Sequence, residues 1–145
     1  MNKRIAIGIA VMAMAVTAVH AATGDSLVTG GLWSAPATWS GGIVPGTNAL
    51  TVEIAAMTGA STVTLNSSVP QPLNRVQVGQ GGTGAGAVGS TGTLIINAGG
   101  SFTVTNAINV GMNRFGSFTM NGGNVTNGGN FNIANSATAG GQQLP

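Results

Sequence analysis

The chain has no cysteine and no tyrosine, and only 4% of its 145 residues carry a charge. Without cysteine no disulfide can staple it, in any redox compartment. Its one histidine, His20, and its one lysine, Lys3, both fall within the first 21 residues. From Ala22 onward, histidine and cysteine nucleophile schemes are therefore excluded by composition. The formal net charge of +2 comes from the same short start, because Asp25 and Glu53 balance Arg75 and Arg114 downstream. No cluster of Lys and Arg exists to meet nucleic acid or anionic lipid, which need one. Nor does any stretch after Ala21 show a helical period. Such a chain must hold itself by burial and backbone hydrogen bonding.

What is present begins with an export pattern. Met1–Arg4 is basic, Ile5–Val19 is apolar but for Gly8 and Thr17, and Val19-His20-Ala21 puts small residues at the −3 and −1 positions of a cleavage site. This order is that of a secretory signal peptide over 1–21, cut after Ala21. The run is short for a transmembrane helix, which needs about 20 apolar residues. No membrane insertion is expected of the remainder, which is read as secreted or displayed on the cell surface.

The stretch Gly92–Asn135 is written almost twice. Gly92–Asn97 (GTLIIN) returns 24 residues later as Gly116–Asn121 (GSFTMN). Gly99–Val104 returns 23 later as Gly122–Asn127, and Ile108–Gly111 returns 23 later as Phe131–Ala134. Earlier, Val76–Gly79 (VQVG) matches Ile108–Gly111 (INVG) at a spacing of 32. The excess is assigned to a Gly-rich insertion over 80–92. Ala49–Ile54 and Thr62–Asn66 alternate in the same way, and period-two alternation rich in Thr and Val signals strands. A fixed period of this size marks a solenoid, whose repeats bury their apolar sides on one another. The expected fold is all-β, a right-handed parallel β-helix of about four coils over 49–135, with a β-sandwich as the alternative. Asn97 and Asn121 fall at matching corners and are expected to form an amide ladder.

Residues 22–48 form a lead-in holding both tryptophans, Trp33 and Trp39. They suit a cap over the apolar end of the stack, and the alternative reading makes them a stacking platform for glycan. The tail, 136–145, carries no cap or anchor pattern, and the chain is expected to be the front of a longer protein. A strand edge left open there invites self-association.

Chemistry is sparse. Paired carboxylates could hydrolyse a polysaccharide, but the only acids are Asp25, read as solvating a turn in the lead-in, and Glu53, read as pointing outward from a strand. They are not read as a catalytic pair. Gly81–Gly86 (GGTGAG) has the glycines of a calcium repeat or a nucleotide loop without the carboxylate or the Lys-Ser/Thr that either needs. No catalytic residue, metal or cofactor is expected.

The TWSGG-x-VPG core at Thr38–Gly46, TVTLN at Thr62–Asn66, the VQVG step and the G-x-L-x-I-x-x-GG-x-x-T-V-T coil from Gly92 together resemble the N-terminal portion of large secreted bacterial β-helix proteins. These include autotransporter adhesin passengers with autotransporter-associated β-strand repeats, and exported proteins with a PEP-CTERM-type sorting signal. Similar sequences often carry Asp after VPG, where this chain has Asn48. The resemblance implies a non-catalytic stalk or adhesin-like interaction surface, with glycans or cell-surface components as partners. It also leaves open a carbohydrate-binding module, or the front of a polysaccharide-active enzyme with its catalytic residues beyond Pro145.

Overall fold

The alternating segments form strands, and each finds its partner one period along the chain. A computed structural model describes residues 22–26, 30–46, 49–54, 59–79, 91–112 and 114–133. The signal segment 1–21, Asn48, the insertion over 80–90 and the tail lie outside the described residues. The strands are β1 (Ala22–Asp25), β2 (Gly31–Leu32), β3 (Ala49–Ile54), β4 (Ala60–Leu65), β5 (Leu73–Val78), β6 (Thr91–Ile96), β7 (Ser101–Val110), β8 (Phe115–Met120), β9 (Asn124–Asn127) and β10 (Asn130–Ile133). Strand β6 takes in Thr91 and Gly92, so these two residues belong to the sheet and not to the insertion. Among the described residues no helix is long and apolar enough to cross a membrane.

The chain is all-β, and its strand pairs are parallel. One sheet runs β1-β3-β5-β7-β10, with β9 also on β7, and the other runs β2-β4-β6-β8. From β1 to β9 consecutive strands alternate between the two sheets, so each circuit of chain adds a layer to both, and β9 is followed by β10 in the same sheet on the same partner, β7. Antiparallel sandwich sheets are not what forms here. The register follows the repeat: Leu94 pairs with Phe118, Phe102 with Val125 and Ile108 with Phe131. Val76 pairs with Ile108 in spite of the longer connection. Long β7 serves two sides of a circuit, since Ser101–Val104 pairs with β9 and Ala107–Val110 with β10. The preceding circuit shows that side only as a bridge between Ser68 and Ser101.

Inward residues stack in columns. Val52, Val76 and Ile108 form one, and Ile54, Val78 and Val110 another. On the other sheet Val63 lies below Leu94 and Leu65 below Ile96. All ten are buried. Strands lie about 4.8 Å apart in the hydrogen-bonding direction, so each branched side chain meets the one above and below it in van der Waals contact. The two sheets approach closely where a strand of one ends and a strand of the other begins. Gly79 and Gly111 adopt φ of 73° and 74° there, a region other residues enter at a cost.

Candidate functional site

Two places gather the polar and aromatic groups: the tryptophan segment and a column on the outer side of β3 and β5. Trp33 follows β2 directly, and its amide donates to the Thr64 carbonyl at 2.8 Å, carrying the β2–β4 ladder one step further. The chain then makes two single-turn 3₁₀ helices, Pro36–Thr38 and Ser40–Gly42. Pro36 enters the first with its φ already near the helical value. Thr38 Oγ1 donates to the Leu32 carbonyl at 2.7 Å and folds the segment back. Trp39 bridges Ser26 in the antiparallel sense.

Both indoles are interior. Trp33 is 2% exposed and Trp39 1%. Trp39 Nε1 donates to the Trp33 carbonyl at 2.7 Å, and Trp33 Nε1 to the Pro45 carbonyl at 3.1 Å. The rings meet edge-to-face with centroids 5.1 Å apart, and Trp33 stacks on Phe102 at 6.0 Å. A sugar stacks on an exposed ring face, and neither tryptophan offers one. Their place is in the core, beside the outermost strand of its sheet.

The polar column is where sequence reasoning missed a juxtaposition. Asp25 is the last residue of β1, not a turn residue, and it pairs in register with Glu53. Glu53 pairs with Gln77, Gln77 with Asn109, and Asn109 with Asn132. Two carboxylates and three amides thus lie in one line across five strands. Asn132 Nδ2 donates to Asn109 Oδ1 at 2.8 Å. A second amide pair, Asn121 Nδ2 to Asn97 Oδ1 at 3.1 Å, forms the corner ladder expected from the repeat. Arg75 stands on the same face as Glu53 and pairs with Thr51. Asp25 Oδ1 and Arg75 Nε are buried without hydrogen-bond partners.

Burial raises both carboxyls above their ordinary values, and for Glu53 the neighbouring Asp25 charge adds to the rise. Protons bound by the folded chain are then released on unfolding, so stability falls as pH rises through the folded values. The contribution is full below the ordinary values of 3.8 and 4.5. Thermal melts are expected to show a higher Tm near the lower of these values than at neutral pH. Glu53→Gln, which extends the amide column, is expected to raise stability at neutral pH and flatten the profile. A like-charge pair on adjacent strands costs about 0.2–1 kcal/mol, and solvent screening of these half-buried groups holds the gain to the low end. A Glu53→Gln chain with unchanged Tm and pH profile would remove the repulsion from the account.

Among the described residues, no group of three or more His, Cys, Asp or Glu gathers. Arg114 precedes β8, away from the two acids in the stacking order. Comparison of the chain with protein-family models, curated proteins and solved structures finds no match.

Proposed function

We propose that the chain is a segment of a right-handed parallel β-helix, exported by its N-terminal signal and serving as a non-catalytic stalk or adhesin-like interaction surface. The observation that carries this is the in-register stacking of successive circuits, with columns of Val, Ile and Leu inside and polar residues such as Thr62, Thr119 and Asn121 exposed. Right-handed crossovers are the sense that parallel strands in one sheet nearly always take. A rod built this way grows by adding circuits and presents rows of hydroxyls and amides spaced by the strand separation. Such neutral rows suit glycans or other cell-surface components, which many weak hydrogen bonds would hold.

The adjacent acids give the polysaccharide-active alternative its one geometric support. Asp25 and Glu53 pair in register on adjacent strands, whose backbones lie about 4.8 Å apart, and retaining glycosidases set their two carboxyls about 5–5.5 Å apart. Their raised titration and the amides that continue their column favour a structural role. The test is to express the full chain in a Gram-negative host, fractionate the cells and sequence the N-terminus. Export with Ala22 at the new N-terminus is expected, and retention in the cytoplasm with Met1 in place would sink the exported reading. Incubating the exported chain with plant and bacterial polysaccharides is expected to release no reducing ends. Release that disappears in Glu53→Gln would instead establish the enzyme.

A further inference from the structure

We propose that Asn121 is a modification site, at which the folded chain loses ammonia and is left with an aspartyl or isoaspartyl residue. Asn121-Gly122 and Asn127-Gly128 are the two Asn-Gly steps of the sequence. At such a step the nitrogen of the second residue can close a ring on the asparagine side chain, because glycine puts no Cβ in the way and lets the backbone make the turn. Water or hydroxide removes the Gly122 amide proton, and the nitrogen forms a bond to Asn121 Cγ. The Cγ–Nδ2 bond breaks, and Nδ2 leaves as ammonia. Water then opens the cyclic imide at either carbonyl. Over the whole sequence one water enters and one ammonia leaves, with no change of oxidation state.

The fold treats the two steps differently. Gly128 N–H donates to the Val104 carbonyl at 2.8 Å, so its nitrogen is already committed. Asn127 Oδ1 accepts from Gly129 N–H at 3.3 Å, and Asn127 Nδ2 donates to the Gly129 carbonyl at 3.1 Å. Ring closure there must break three hydrogen bonds. At the other step the Asn121 amide donates to the Ile96 carbonyl at 2.8 Å, but among the described residues the Gly122 amide has no acceptor. Asn121 is exposed, and one bond, from Nδ2 to Asn97 Oδ1 at 3.1 Å, holds its side chain. The circuit below shows that a further layer leaves this corner open. Gly122 lies directly over Ala98, whose Cα and nitrogen are 3.1 Å from where a Gly122 Cβ would be. With β8 and its corner already stacked above it, Ala98 is still exposed, and among the described residues its amide has no acceptor either.

The product changes the corner in two ways. Residues 115–133 contain no charged side chain, so a carboxylate at position 121 is an unopposed negative charge within a neutral stretch. It also has no N–H to give, so the bond to Asn97 Oδ1 is lost, and the isoaspartyl form adds a carbon to the main chain between β8 and β9. The converted fraction rises with time and with pH, since the attacking nitrogen must first lose its proton.

The test is incubation of the purified full chain at neutral and mildly alkaline pH, folded and in concentrated urea, with timed samples read by isoelectric focusing and by tryptic peptide mass. Residues 115–145 hold no Lys or Arg, so both steps stay in one peptide and fragmentation ranks them within it. In the folded chain, conversion at Asn121 is expected to outpace conversion at Asn127 at least roughly tenfold, since each of the three bonds at the second step slows it a few-fold. In urea the two rates are expected to converge. Asn121→Gln, whose longer side chain closes its ring far more slowly, is expected to remove most of the acidic shift of the folded chain, and Asn127→Gln to leave it in place. Equal rates in the folded chain, or conversion of Asn121 only in urea, with β5 and β7 amides protected from hydrogen exchange, overturn the proposal and leave the stack standing. Equal rates with those amides unprotected overturn the stacked circuits, and the proposal with them.

Discussion

Replacing Trp39 by alanine is expected to destabilise the chain by about 3–5 kcal/mol, the range for emptying a buried aromatic site. A domain of this size has about 5–15 kcal/mol in total, so the variant sits near the edge of folding. The loss has two parts. The ring leaves a void against Trp33, whose own face then has one aromatic neighbour, Phe102, in place of two. The Trp33 carbonyl also loses the Nε1 donor that it holds at 2.7 Å, and a buried carbonyl without a partner costs about 1–3 kcal/mol. Trp39→Phe separates these parts, since it keeps most of the ring and removes the donor. It is expected to fall between the wild type and the alanine variant in urea denaturation followed by Trp33 fluorescence. A glycan-stacking role for Trp39 gives the opposite result, with an unchanged midpoint and lost binding to immobilised polysaccharide.

Much of the register could be read in the sequence, because a solenoid writes its pairing as a repeat. Gly92–Asn97 and Gly116–Asn121 are strand partners residue for residue. The match of VQVG with INVG held across the longer connection, since an insertion between circuits need not disturb the layers on either side. The Asn97–Asn121 bond followed from the same alignment.

The acidic pair was harder to see. Strand β1 reads ATGD, with no large apolar residue and so no alternation to announce a strand; it is a strand because β3 offers it an edge. One signal was available all the same. Val52-Glu53-Ile54, Val76-Gln77-Val78, Ile108-Asn109-Val110 and Phe131-Asn132-Ile133 align as apolar-polar-apolar triplets, and extending that alignment back one strand brings Asp25 beside Glu53. The position of the tryptophans ahead of the first repeat strand suggested a cap over the apolar end of the stack, but not how each ring is held. Whether a ring turns inward depends on a carbonyl waiting for its Nε1, and Pro45 and Trp33 supply those carbonyls only once the segment has folded back.

The repeat also preserves glycines, and Gly92→Ala is expected to destabilise the chain by about 2–4 kcal/mol. Gly92 has no unusual φ among the positive-φ glycines, so backbone freedom is not its reason. A Cβ there would lie 2.5 Å from the Gly79 nitrogen and 2.6 Å from the Ile54 oxygen. Those two atoms are hydrogen-bonded to each other at 2.9 Å. The methyl group would land on the bond that closes β5 onto β3. One circuit on, the contact repeats: a Cβ on Gly116 would lie 2.3 Å from the Val78 oxygen and 2.5 Å from the Gly111 nitrogen, which are themselves bonded at 2.8 Å. The neighbours are backbone atoms and cannot swing aside as a side chain would. Overpacking a tight site costs about 1–3 kcal/mol, and pushing the strand out of its ladder loses a hydrogen bond worth about 1 more. Gly41→Ala is the control, because a Cβ there meets nothing within 4 Å and only its φ of 69° resists, at roughly 1 kcal/mol. Urea midpoints should therefore rank wild type, Gly41→Ala, Gly92→Ala from most to least stable. If Gly92→Ala matched the control, the two sheets would have room to part at this corner, and the glycines of VQVG, INVG, GTL and GSF would need a reason other than close approach.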